Sequence, residues 1–172
     1  YEDVPDYEYN KLRFDYMCAD ELMTQTDAFI KKVSSIYQSE GKIDTVFFLD
    51  KSARPLAYMF KRLFKEYVEN KTINPPQILF LNVGQEITLP DPTKGYEKVV
   101  GFSGNPDSVR KAYGKWVKPN SSVLVVDEYS STGKSLKYAT NIVNEAFCAQ
   151  NIKIHPLAAY TKLPKWCHRP SY

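Results

Sequence analysis

The chain has 172 residues, of which 43% are hydrophobic and 25% charged, with a net charge of +3. That is enough for one domain with a full core, and no apolar run approaches the ~18–20 residues a membrane span needs. The charge is uneven: residues 1–21 carry seven acids against Lys11 and Arg13, a net −5, so the remainder carries +8. A basic body suits a small polyanionic substrate and suits nucleic acid equally. Cys18, Cys148 and Cys167 are odd in number, with no metal or redox spacing, which points to a reducing compartment, the cytoplasm. The only histidines, His155 and His168, read as a strand residue and a tail residue, so no Cys/His or Ser/His catalytic arrangement is indicated.

Residues 1–17, acidic and tyrosine-rich with Pro5, read as an irregular arm, and residues 18–172 as one domain. From Ala19 to Gln38, Leu22, Thr26, Phe29, Ile30, Val33, Ile36 and Tyr37 fall at helical spacing, and Gly41 follows as a C-cap. Residues 44–49 (DTVFFL) form a core strand, which leads through Asp50-Lys51-Ser52-Ala53-Arg54 into a helix with Pro55 in its first turn. Leu56, Phe60, Leu63, Phe64 and Tyr67 mark its buried face. Residues 77–83 form a second strand. The interval 84–120, broken by Pro90, Pro92, Gly95, Gly101, Gly104 and Pro106, reads as a long inserted loop. A helix starts near Asn105-Pro106-Asp107, with Val109, Ala112, Tyr113 and Trp116 as its packed side. Tyr96, Lys98, Ser103 and Tyr113 are binding candidates in this interval without a motif.

Val123-Leu124-Val125-Val126 is an apolar run of the kind that is buried on both faces of a parallel sheet. It ends in Asp127-Glu128-Tyr129, then Ser130-Ser131-Thr132-Gly133-Lys134-Ser135 opens a helix to about Ala149, with Leu136, Ala139, Val143, Ala146 and Phe147 buried. Carboxylates at a strand's C-terminal end lie where open α/β sheets bind ligands, and a Ser/Thr/Gly loop at a helix N-terminus is an anion site. Thr132-Gly133-Lys134-Ser135 also matches the end of a P-loop, but that motif needs glycine where Glu128 stands. Residues 153–160 form the last strand, and Pro156 assigns it to a sheet edge or a bulge. Strand and helix alternate throughout, which indicates a single α/β domain with a largely parallel twisted sheet flanked by helices.

The strand, the two acids and the loop together resemble the phosphoribosyl-pyrophosphate (PRPP) motif of type I phosphoribosyltransferases. The resemblance implies that Asp127 and Glu128 face the ribose and that Ser130, Ser131, Thr132, Gly133, Lys134 and Ser135 hold its 5′-phosphate. It implies that Lys51, Ser52, Ala53 and Arg54 form the diphosphate loop, with a non-proline cis peptide expected at Asp50–Lys51 or Lys51–Ser52. Within 161–172, which is most like the base-binding tail of 6-oxopurine enzymes, it implies that Lys162 contacts an exocyclic oxygen and that Tyr172 stacks on the base, with Trp166 as a second stacking ring. The interval 84–120 would hold the mobile active-site loop. The implied cofactor is Mg²⁺, held on substrate oxygens with Asp127 and Glu128 as ligands or one water away. The implied catalytic residues are Asp127, Glu128 and Lys51. The expected activity is transfer of ribose 5-phosphate from PRPP to a nucleobase-like acceptor, purine favoured, with homodimers common among relatives. Ser131 departs from the 6-oxopurine pattern, which has an aspartate there to take the base's proton. Two other readings follow from the same residues: a non-catalytic PRPP or nucleotide sensor or effector of this fold, and an RNA-binding module using the basic, aromatic tail.

Overall fold

The computed structural model describes residues 19–49, 53–68, 75–90, 93, 97–130 and 132–160. The arm, the expected cis peptide and the tail lie outside the described residues. Helix α1 is Ala19–Glu40, followed by β1 (Thr45–Leu49), α2 (Arg54–Val68), β2 (Gln77–Leu81), β3 (Glu86–Pro90) and β4 (Glu97–Phe102). Helix α3 (Pro106–Tyr113), β5 (Ser122–Tyr129), α4 (Lys134–Ala146), a 3₁₀ turn at Cys148–Gln150 and β6 (Lys153–Tyr160) complete the order. Strands β2-β1-β5-β6 form a four-stranded sheet in which every pairing is parallel, and β3 and β4 form a separate antiparallel hairpin. No described helix is long and apolar enough to cross a membrane.

Alternation along the strands builds two cores, one on each face of the sheet. Phe47, Leu49, Leu81, Val123 and Val125 pack with Val109 and with Leu136, Ala139, Val143 and Phe147 from the α3/α4 side. Val46, Phe48, Leu124, Val126 and Leu157 pack with Phe29 and Val33 of α1 and with Leu56, Ala57 and Phe60 of α2. All five residues of β1 are buried, as an interior strand covered on both faces requires. Strand β6 is an edge strand, the place where Pro156 can sit without removing a needed ladder donor. Gly41 (φ +74) ends α1, donating its N–H to the Tyr37 carbonyl at 2.9 Å. Asp44 ties three strands at their N-terminal ends. Its carboxylate accepts from Ser122 N–H, its N–H donates to the Ser122 carbonyl, and its carbonyl accepts from Gln77 N–H.

The structure departs from the sequence reading in several places. The interval 84–120 is not mainly loop, because it holds the β3–β4 hairpin and α3. Strand β2 stops at Leu81, and β5 runs on through the two acids to Tyr129. In α1, Ile30 is exposed while Phe29 and Val33 are buried, so the stripe is narrower than expected. Ala112 and Trp116 are exposed, and Val117 takes the buried position instead.

Glu40, at the end of α1, is bound to Lys153 of β6 at 2.8 Å and lies 3.5 Å from His155. The Lys153 hydrogen bond holds the Glu40 carboxyl below its ordinary value of 4.5, against a partly offsetting desolvation. A depressed carboxyl contributes stability above its unfolded pKa and loses it as pH falls through the folded one. Glu40→Gln is therefore expected to be less stable than wild type at neutral pH and to lose less of its stability below pH 4.5. Urea unfolding across that range reads the difference, and parallel pH profiles for the two proteins would count against the linkage.

Candidate functional site

Because the sheet is wholly parallel, the C-terminal ends of its strands share one edge. From β1 the chain moves outward to β2, then crosses back to β5 on β1's other side and on to β6. The strand order reverses between β1 and β5, and that reversal opens the crevice in which doubly wound sheets bind ligands. The C-terminal ends of β1 and β5 flank it.

The pairing of β1 with β5 reaches Phe48–Val126, whereas β6 stays beside β5 as far as Tyr129–Tyr160. Asp127 and Glu128 therefore stand where the β1–β5 pairing has ended and β5 continues beside β6. They also stand on opposite faces. Val123 and Val125 point to the α3/α4 core and Leu124 and Val126 to the α1/α2 core, so the alternation carries Asp127 to the first side and Glu128 to the second. Asp127 is only 8% exposed, and both acids have interaction partners. A buried carboxylate is stable only when it is paired or hydrogen-bonded.

Beyond Ser130 the chain turns into α4 through Gly133, whose φ of +72° and ψ of 0° are left-handed. A Cβ there would meet nothing nearer than Ser130 Oγ at 3.7 Å, so glycine is required by the dihedral and not by space. Gly133 supplies no capping side chain to α4, and among the described residues Lys134 N–H donates to Thr132 Oγ1 only at 3.5 Å. The intrahelical ladder starts with Lys137 N–H to the Gly133 carbonyl at 2.8 Å. The first-turn amides are thus directed past Gly133 with a partial positive charge, beside the exposed hydroxyl of Thr132 and the exposed Lys134. An oxyanion is the ligand this end of the helix suits.

On the β1 side, Ala53 is fully buried and its carbonyl accepts the Ala57 N–H that opens α2. Its side chain packs in the core, so only its main chain faces the loop. The Arg54 guanidinium lies 5.0 Å from the centroid of the Phe80 ring, a cation–π contact directed toward β2. Lys51, Ser52, Ser131, Lys162, Trp166 and Tyr172 lie outside the described residues, as does Tyr96, and the Lys98 side chain is not described. Ser103 and Tyr113 have structural partners. Ser103 Oγ accepts from Gln85 N–H, while Tyr113 donates to the Phe80 carbonyl and packs edge-on against Phe47.

Sequence reasoning missed the loop after β2. Gly84, at φ +76°, lies so close to α4 that a Cβ would stand 2.6 Å from the Ser135 carbonyl oxygen and 3.1 Å from Ala139 Cβ. The root of the hairpin presses on the same turn. Phe102 stacks on Tyr138 at 5.1 Å, and the Tyr138 hydroxyl donates to the Gly104 carbonyl at 3.5 Å. Gly84 was the available signal, since a glycine just past a strand marks a close backbone approach.

Among the described residues no group of three or more His, Cys, Asp or Glu is placed to hold a metal ion. A groove of about 330 Å³ runs between α2 and β2, lined by Tyr58, Lys61, Phe64, Pro76, Ile78 and Phe80. It follows the outer edge of the sheet, away from the β1–β5 crevice, and among the described residues its lining offers one cation and no acid.

Gly84→Ala is expected to lower stability by about 2–4 kcal/mol, because the new methyl meets main chain rather than a yielding side chain and the left-handed φ adds strain. Gly41→Ala, with the same sign of φ but open space around it, is expected to cost only about 1 kcal/mol. Denaturant midpoints of the two variants check the ranking. No protein-family model matches the chain, and a search of curated proteins finds no match to it.

Proposed function

We propose that the chain binds PRPP at the β1–β5 crevice and transfers ribose 5-phosphate to a nucleobase-like acceptor, purine favoured, releasing diphosphate. The observation that carries this reading is the N-terminus of α4, opened by a left-handed glycine, next to a buried aspartate at the point where the strand order reverses. The 5′-phosphate takes the first-turn amides with Thr132, Lys134 and Ser135. Asp127 accepts from the ribose hydroxyls on its side of the sheet and places negative charge near the ring as the anomeric C–O bond breaks and the ring becomes cationic. Glu128, on the other face, acts through the loop next to it or through water.

Mg²⁺, when bound, neutralises the departing diphosphate. Carboxylate oxygens are hard donors that suit it, but two adjacent strand residues pointing to opposite faces do not converge on one ion. At most one of Asp127 and Glu128 would hold the ion directly, the other acting through water. Lys51 and the loop through Ser52 to Arg54 would receive the diphosphate. A second reading, a binding protein of the same fold without turnover, is favoured by Ser131, since a serine hydroxyl is a poor proton acceptor for a base at neutral pH.

Calorimetric titration with PRPP, with and without Mg²⁺, is expected to show binding that Asp127→Asn weakens about 10- to 100-fold, the range for losing hydrogen bonds to a charged acceptor. Diphosphate release measured across a panel of purine and pyrimidine bases then separates the two readings. Release with a base supports the transferase, and binding without release supports the sensor. Failure of wild type to bind PRPP at all removes both.

A further inference from the structure

The end of α3 carries a basic, aromatic patch that the candidate site does not use. Helical hydrogen bonding continues beyond Tyr113, with Gly114 N–H donating to the Arg110 carbonyl at 2.9 Å and Val117 N–H to the Tyr113 carbonyl at 3.3 Å. On this extended turn Val109, Tyr113 and Val117 face the core, with Val109 and Val117 fully packed. Lys111 and Lys115 stand four residues apart, and Lys118 follows just past the last of these hydrogen bonds. All three are exposed. The acid nearest in sequence, Asp107, is taken by Arg110 at 2.8 Å, and the rest of the Arg110 guanidinium is spent on the Ala146 and Glu145 carbonyls of α4. The three lysines thus have no acidic partner among the described residues. Next to Lys115 stands Trp116, 42% exposed, with the Lys115 ammonium 4.8 Å from its ring centroid. The turn feeds Ser122 at the start of β5, so the patch lies at the N-terminal edge of the sheet, opposite the crevice.

We propose that this patch binds single-stranded nucleic acid, with a base stacked on Trp116 and neighbouring phosphates on Lys111, Lys115 and Lys118. An exposed indole among uncompensated lysines is the combination such strands require: a sequence-tolerant stacking platform beside cations that follow the backbone. An anionic membrane fits less well. Membrane adsorption needs a broad apolar face, and the other large apolar residues found exposed nearest in sequence, Val100, Leu89 and Ile87, belong to the hairpin and not to this turn. A duplex hides the base faces that Trp116 would use. The inference does not depend on PRPP binding.

The chain has two tryptophans, so Trp166→Phe leaves Trp116 as the only indole reporter. Titrating that protein with oligo-uridylate of about 12 nucleotides is expected to quench its emission. The log–log slope of affinity against salt should be about −2, from ~0.7 per phosphate neutralised by the three lysines. In the otherwise native chain, followed by anisotropy of a labelled oligonucleotide, Trp116→Ala is expected to weaken binding about 5- to 100-fold. Lys111→Gln/Lys115→Gln/Lys118→Gln should flatten the salt dependence, and Lys115→Gln alone should reduce the slope by ~0.7, which keeps the test readable if the triple variant unfolds. Absence of quenching, wild-type affinity in Trp116→Ala, tighter binding to duplex, or binding only to phosphatidylserine vesicles would each overturn the proposal.

Discussion

Burial of the two central strands on both faces is the constraint from which the rest of this structure follows. Strands β1 and β5 meet apolar side chains above and below, so neither can turn a face to water, and helices must cover both sides of the sheet. Helical crossovers that cover both sides of the sheet go with strands that all pair in parallel. Parallel pairing in turn gathers the loops that follow the strands at one edge. The crevice between β1 and β5 is therefore a product of core packing before it is anything chemical. The acids, the left-handed glycine and the start of α4 all stand at that edge.

The same constraint gives the two carboxylates different surroundings. Consecutive residues on a doubly covered strand are separated by the sheet itself. Asp127 belongs to the α3/α4 side and is nearly sealed from solvent, while Glu128 belongs to the α1/α2 side and is half-buried. A pair that looks like one unit in the sequence therefore has two roles available to it, one at the ligand and one in support. The loop after β2 is a further element of the edge. Gly84 presses on Ser135, and the Phe102–Tyr138 stack sets the hairpin's root against the first turns of α4.

Much of this was legible in the residues themselves. The unbroken apolar runs of β1 and β5, the buried stripe of α4 from Leu136 to Phe147, the Gly41 cap and the edge position of the strand holding Pro156 all follow from local patterning. The hairpin was not legible, because Ile87, Leu89 and Val100 are exposed and its apolar residues do not mark a core face. Trp116 was assigned to the packed side of α3 by its spacing from Val109. Val117 satisfies the same stripe one residue later, and a smaller side chain fits there. Arg54 shows the limit of local reading at the site: its contact with Phe80 joins residues far apart in sequence, and no spacing rule reveals it. The longer reach of β5, which sets the acids on opposite faces, depends on pairing with β6 and is likewise non-local.

The two outer strands end the sheet in a way that limits how copies of this chain could join. On β6, Pro156 withholds a main-chain donor, and on β2 the Tyr113 hydroxyl occupies the Phe80 carbonyl. Neither rim offers an uninterrupted ladder for a foreign strand. Extension of the sheet from one copy into the next is therefore disfavoured at both described rims.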